Sequence, residues 1–103
     1  MKVTEEAEKD IDNQGDHDRK KLAQKIKKRL KEDRDHKNIS YISKPQFGIE
    51  FHRLKLKENG FDHRIYFDYT DSELTVFAVR HRDYAYSKKD LKEVRKRLGN
   101  IEE

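Results

Sequence analysis

Basic and tyrosine side chains recur at short intervals between residues 53 and 86. Arg53, Lys55 and Lys57 occupy every second position of "HRLKLK", and the segments "HRIY" and "VRHRDYAY" follow. Guanidinium and ammonium groups that converge on one point bind phosphate and stabilise the negative charge of a phosphoryl transition state. A nearby tyrosine could stack on a base or take part in proton transfer. The pattern therefore predicts an anion-binding face, if the fold brings these side chains together.

The composition narrows the classes of protein to which the chain could belong. It has 103 residues, 45% of them charged, a formal net charge of +4 and no cysteine, which excludes disulfides and thiolate metal sites. Its histidines lack ligand spacing, so we expect neither a metal nor a cofactor. We expect one domain over residues 1–103. Because no apolar run could span a membrane and the N-terminus is acidic, we also expect a cytoplasmic protein.

Two helices are predicted at the N-terminal end. Thr4 followed by Glu5 is typical of a capped helix start, and "DNQGD" should end that helix. A second helix from about Asp18 to Glu32 carries a narrow apolar seam on a lysine-rich cylinder. Residues 33–46 are predicted to form an irregular loop that ends near Pro45.

The hydrophobic period then changes to two, which predicts three strands at 51–57, 61–69 and 73–80. Asn59-Gly60 is a strong signal for a two-residue hairpin turn, and the third strand is apolar on both faces. Ser87 should cap a final helix that Gly99 ends. The predicted class is α+β, with two N-terminal helices packed on an antiparallel meander and a short C-terminal helix.

The hairpin turn fixes which side chains meet across the first two strands. It places Lys55 opposite Arg64 and Arg53 opposite Tyr66, on the face away from the helices. Like charges directly opposite each other destabilise a sheet, and an anion between them would relieve the conflict. The alternative is that both long side chains splay into water. Tyr66, Tyr84 and Tyr86 are expected on the solvent side.

The order of these segments resembles the RelE/ParE superfamily of toxin–antitoxin systems over almost the whole chain. "VTEEAEKDI" and "KKLAQKIKKRL" are similar to its first two helices, and "HRLKL", "HRIYF" and "ELTVFAVRHRDYAY" to its meander. The resemblance implies a RelE-like fold. That fold usually begins with a strand, for which only Met1, Lys2 and Val3 are available here.

Members of the RelE branch cleave mRNA in the ribosomal A site without a metal, by attack of the 2′-OH on the adjacent phosphate. The resemblance and the predicted basic face together suggest two groups of site residues, of which the resemblance itself carries over Arg53, Lys55, Arg64, Arg82 and Tyr86. The catalytic group is Lys55, Arg64, Arg82 and Tyr86, with Lys55 or Tyr86 as general base or acid. The RNA-binding group is Arg53, Lys57, Tyr66, Arg80 and Tyr84. Because Arg82 and Tyr86 are close in sequence, Tyr84 could be the functional tyrosine instead.

Two other functions stay open at this point. A ParE-like toxin would poison DNA gyrase and need no catalytic cluster, and a non-catalytic relative would only bind RNA or a protein. The cations favour the nuclease, because gyrase inhibition does not require them to converge. Under either toxin hypothesis we expect an acidic antitoxin that masks the basic face. The nuclease hypothesis adds mRNA in the ribosomal A site as a partner.

Overall fold

The computed structural model describes residues 1–13, 19–32, 38–58 and 60–101. Its elements in chain order are β1 (Lys2–Val3), α1 (Glu5–Asp12), α2 (Arg19–Glu32), β2 (Ile39–Lys44), β3 (Ile49–Glu58), β4 (Phe61–Thr70), β5 (Glu73–His81) and α3 (Lys88–Ile101). Asp18, where the second helix was predicted to begin, and Asn59 of the hairpin turn lie outside the described residues.

Helices α1 and α2 cover one face of the sheet, as predicted. Thr4 caps α1, since its hydroxyl accepts a hydrogen bond of 3.1 Å from the Ala7 amide. The apolar seam of α2 (Leu22, Ile26 and Leu30) packs with residues of α1 and the sheet in one buried cluster. The strands contribute Leu54, Leu56, Ile65 and Phe67 to that cluster. The predicted inward face of the hairpin is therefore confirmed.

The meander has the predicted register. Lys55 lies opposite Arg64 and Arg53 opposite Tyr66 across β3 and β4. Gly60 adopts a φ of 87°, which glycine reaches without a steric penalty, and this supports the tight turn. Strand β5 is buried on both faces from Leu74 to Val79, as its sequence predicted.

The sheet has two strands more than the predicted meander. Its five strands lie in the order β1-β5-β4-β3-β2, and because β1 runs parallel to β5 the sheet is mixed. Residues 33–46 were predicted to be an irregular loop; that prediction was wrong for β2 (Ile39–Lys44), and residues 33–37 lie outside the described residues. Ile39 packs on the cluster under α1 and α2, whereas Ile42 packs on the opposite face. One apolar residue on each face removes the alternation by which a strand is recognised.

Helix α3 covers part of the second face. It runs through Gly99 to Ile101, so the prediction that Gly99 ends it was wrong, and its 14 residues make it as long as α2 rather than short. Leu91, Val94 and Leu98 pack in a second buried cluster with Tyr66 and other residues of the sheet. The face predicted to be open to solvent is thus half covered by α3.

No helix in the described parts of the chain has the length and apolar character needed to cross a membrane.

Candidate anion-binding face

Three cationic residues lie in one row across the sheet. Lys55 on β3 faces Arg64 on β4, and Arg64 in turn faces Arg80 on β5. Strands are about 5 Å apart, so such a row costs electrostatic energy unless carboxylates or bound anions neutralise it. The contacts of each cation show how far carboxylates neutralise its charge.

Arg80 is fully engaged by carboxylates. Its Nε donates to Asp90 at 2.8 Å and its Nη1 to Asp10 at 3.3 Å, while the Tyr84 ring lies 5.2 Å from the guanidinium carbon. The side chain is only 10% exposed. Arg80 therefore belongs to a buried ion-pair network rather than to the open surface, and the expectation that it reaches out to RNA is not supported by its position.

Asp10 and Arg97 complete that network. Arg97 donates to the two carboxylate oxygens of Asp10 at 2.6 and 3.2 Å and to the Phe77 carbonyl at 3.0 Å. Burial alone would lower the pKa of Arg97, but the hydrogen bonds and charge of Asp10, together with Glu93 and Glu6, raise that pKa above its ordinary value. Arg97 also forms ion pairs with Glu6 and Glu93, so the described carboxylates outnumber the two arginines of the network and it adds no positive charge to the basic face.

Asp90 joins three segments of the chain. Its carboxylate accepts hydrogen bonds from the Tyr66 hydroxyl at 2.7 Å and the Tyr86 amide at 2.9 Å, in addition to Arg80. Ser87 caps α3 as predicted, because its hydroxyl accepts from the Asp90 amide at 3.1 Å. The Asp90 side chain is fully buried, which makes this polar cluster a fixed part of the fold.

The placement of Tyr66 on the solvent side was wrong. Its ring is 0% exposed and packs against Phe51, with the ring centroids 4.7 Å apart. Burial, together with the charge of Asp90, raises the pKa of Tyr66, so its phenol stays protonated. The physical reason is α3, which lies over this part of the sheet and whose packing direction the strand pattern does not reveal.

Arg64 and Arg82 share one carboxylate. Asp62 accepts from Arg64 Nη1 at 2.9 Å through Oδ1 and from Arg82 Nη1 at 3.5 Å through Oδ2. Arg64 is buried, with its side chain 10% exposed, whereas the Arg82 side chain is 62% exposed. Asp62 thus brings together the side chains of both predicted catalytic arginines.

The remaining cations of the face are less neutralised. Arg53 donates to the Ser40 hydroxyl at 2.7 Å, and its Nε is buried with no hydrogen-bond partner among the described residues. Lys55 is half-buried and Lys57 is exposed. Within the described parts of the chain, neither lysine forms an ion pair. The positive charge of the face is therefore carried by Arg53, Lys55 and Lys57 and by the two arginines that contact Asp62.

The two candidate tyrosines have different surroundings. Tyr84 is 37% exposed and lies over Arg80. Tyr86 adopts a φ of 67°, and its ring centroid lies 5.9 Å from that of Tyr66. Its hydroxyl is buried and has no hydrogen-bond partner among the described residues. Tyr86 is thus the tyrosine whose buried hydroxyl lacks, among the described residues, the hydrogen bond that buried hydroxyls normally form.

The structure therefore brings together part of the predicted site. Lys55, Arg64 and Arg82 gather on one face, with Arg53 and Lys57 on the neighbouring rungs. The sequence analysis did not predict the ion pairs of three acidic residues: Asp62 pairs with Arg64 and Arg82, and Asp10 and Asp90 pair with Arg80. Asp62 was detectable, because it lies two residues before Arg64 on the same face of one strand. For Asp10 we recognised no such signal, and its contacts to Val79, Arg80 and Arg97 span 69 to 87 residues.

A comparison with family models decides the family. The model of the ParE toxin of type II toxin–antitoxin systems (parDE) matches residues 1–86. The chain belongs to this toxin family. The RelE/ParE resemblance inferred from the sequence is thereby confirmed, and a type II toxin implies an antitoxin as its partner. The matched range contains the whole basic face and ends at Tyr86, so α3 lies beyond it. No curated protein and no solved structure matches the toxin significantly.

Proposed function

We propose that this toxin acts on RNA as an endonuclease, with the basic face as the site that binds the scissile phosphate. The observation that carries the proposal is the row in which Lys55 faces Arg64, next to the Arg82 that shares Asp62 with Arg64. Converging cations stabilise the negative charge that develops on a phosphate during in-line displacement. The resemblance to the RelE branch supplies the substrate, mRNA in the ribosomal A site.

The proposed reaction needs no group outside the substrate as nucleophile. The 2′-oxygen attacks the adjacent phosphorus, the bond from phosphorus to the 5′-oxygen breaks, and a 2′,3′-cyclic phosphate and a 5′-hydroxyl result. One group takes the proton of the 2′-OH, and another returns a proton to the leaving oxygen. Lys55 and Tyr86 are the candidates for these roles, whereas Tyr66 is not, because its buried phenol already donates to Asp90.

Arg64 and Arg82 are proposed to hold the phosphate. Arg82 is exposed enough to swing towards a ligand, and Arg64 is held in place by Asp62 and by the His63 carbonyl at 3.2 Å. A fixed and a mobile guanidinium together can bind two phosphate oxygens. Arg53 and Lys57 would contact the neighbouring phosphates of the strand.

Growth arrest and transcript integrity after induction in bacteria test this proposal. Arg82→Ala and Lys55→Gln should abolish both the arrest and the cleavage, while Lys21→Ala should change neither. Lys21 is a matched control because it is an exposed cation on α2, which packs on the other face of the sheet. Cleavage that survives both substitutions would contradict the assignment of the active site to the basic face.

Inhibition of DNA gyrase is the second candidate, and the match to the ParE model specifically favours it. A gyrase poison would arrest growth with intact mRNA and a DNA-damage response. In that case Lys55→Gln and Arg82→Ala would change toxicity only through gyrase contacts, and purified gyrase would be inhibited by the toxin. A chain that causes no arrest would be a non-catalytic relative that binds RNA or protein.

A further inference from the structure

One aspartate carboxylate lies among the cations of the basic face. Asp62 lies between Arg64 and Arg82 and uses one carboxylate oxygen for each guanidinium. A carboxylate and a phosphate present similar oxygen pairs to arginine, so the two compete for the same donors. Asp62 is also opposite Lys57 in the register of β3 and β4. It is the acidic residue that contacts the cations of this face within the described parts of the chain.

The two contacts of Asp62 differ in strength. The contact to Arg64 is 2.9 Å long and joins side chains that are 10% and 22% exposed. The contact to Arg82 is 3.5 Å long, and the Arg82 side chain is 62% exposed. Exposed ion pairs of the second kind contribute little to stability, so Arg82 can exchange its partner at little cost.

Arg82 stays beside the face even when its side chain leaves Asp62. Its backbone amide donates to the Asp62 carbonyl at 3.0 Å, which fixes the chain just after β5 against the start of β4. The guanidinium can therefore turn from Asp62 to an incoming ligand without any movement of the backbone. Asp62 keeps Arg64 in place during that exchange.

We propose that Asp62 is an internal counter-ion of the basic face, which a phosphate group of the ligand displaces from Arg82. This inference rests on the proposed anion-binding role of the face and adds the residue that sets its affinity. In the free protein Asp62 offsets the repulsion between the two arginines. When a phosphate binds, Asp62 weakens binding, because its negative charge lies within a few ångströms of the phosphate site.

Binding of a phosphate ligand to the full chain tests the inference. The probes are inorganic phosphate and a short RNA in which every 2′-OH is methylated, so that cleavage does not disturb the measurement. Asp62→Asn should bind the RNA about fivefold more tightly at about 0.1 M salt, a gain that shrinks as salt rises. Asparagine keeps the size of the side chain and an oxygen that accepts from Arg64. Asp62→Ser, which removes the charge without an amide, should shift the affinity in the same direction.

Asp71→Asn is the matched control. It makes the same change in net charge, but Asp71 lies in the turn after β4, roughly 30 Å along the strand from Asp62. That distance exceeds the Debye length at physiological salt, so the affinity should stay within about twofold of the wild type. Tighter binding by both Asp62 variants with an unchanged Asp71 variant supports the counter-ion.

Two results would overturn the inference. Weaker binding by the Asp62 variants would mean that Asp62 is needed to hold the arginines, and binding equal to that of Asp71→Asn would mean that it does not compete. Lys55→Gln and Arg82→Ala separate this failure from failure of the proposed function. If both weaken RNA binding, the anion-binding face stands whatever Asp62 does. If neither does, the proposed face itself is wrong.

Discussion

Asp10 and Arg97, 87 residues apart, form a buried ion pair of 2.6 Å that ties α1 to α3 around the edge of β5. The two helices lie on opposite faces of the sheet, and β1 covers β5 only at Thr75 and Val76. Beyond β1, Asp10 accepts from the Val79 amide and Arg97 donates to the Phe77 carbonyl. Side chains thus satisfy backbone groups that an edge strand would otherwise expose.

Removal of one partner of this pair should destabilise the fold strongly. We expect Arg97→Met to lower the free energy of unfolding by about 3 kcal/mol, because Asp10 would keep a buried charge with fewer donors. Urea denaturation measures the change, and Arg95→Met, an exposed arginine of the same helix, is the control. A loss below about 1 kcal/mol would show that the pair is not a main support of the fold.

Tyr66→Phe should reveal a structural rather than a functional tyrosine. The substitution removes the 2.7 Å hydrogen bond to the buried Asp90, at a cost of about 1.5 to 3 kcal/mol. Thermal and urea unfolding measure this cost. Tyr69→Phe is the control and should change stability by less than about 0.5 kcal/mol, because Tyr69 is 47% exposed. At a temperature where the variant is folded, growth arrest should persist. Loss of toxicity in a folded Tyr66→Phe protein would show that the Tyr66 hydroxyl is needed for function.

Asp62 should titrate below its ordinary range. The hydrogen bond from Arg64, with the charges of Arg64 and Arg82, holds the pKa of Asp62 below its ordinary value, although burial opposes this shift. Because this pKa is lowered in the folded protein, the ion pair contributes its full stability at pH values above the ordinary pKa of an aspartate. That contribution is lost as the pH falls through the lowered pKa.

Carbon-13 NMR of the Asp62 carboxyl group measures this titration. In Arg64→Gln the midpoint should move upwards, since the first and largest cause of the shift is removed. A wild-type midpoint at or above the ordinary value of an aspartate carboxyl group would contradict the contact between Asp62 and Arg64.

Lys55→Glu should separate stability from function. A carboxylate opposite Arg64 replaces a like-charge pair by an opposite-charge pair, which is worth roughly 0.2 to 1 kcal/mol of stability. The same change places a negative charge where the proposed phosphate binds, so growth arrest should disappear. Unfolding experiments and induction in bacteria measure the two effects. Lys57→Glu, opposite Asp62, is the contrasting variant and should not stabilise the fold. A toxic and less stable Lys55→Glu protein would contradict both expectations.

The sequence by itself determined the elements that have strong local signals. The Thr4 and Ser87 caps, the seam of α2 and the register of β3 and β4 follow from residues close together in the chain. Register in turn placed Lys55 opposite Arg64, because alternation along a strand leaves one choice of face. The family resemblance rests on the same local order.

Only the tertiary structure decided which cations are available to a ligand. The sequence pattern treats Arg64, Arg80 and Arg82 as equivalent, yet Arg80 is neutralised by carboxylates from two helices and Arg82 is open. Tyr66 was misplaced because the face on which α3 packs depends on contacts between residues far apart in the chain. Ion pairs and burial are set by such long-range contacts, and no local period in the sequence encodes them.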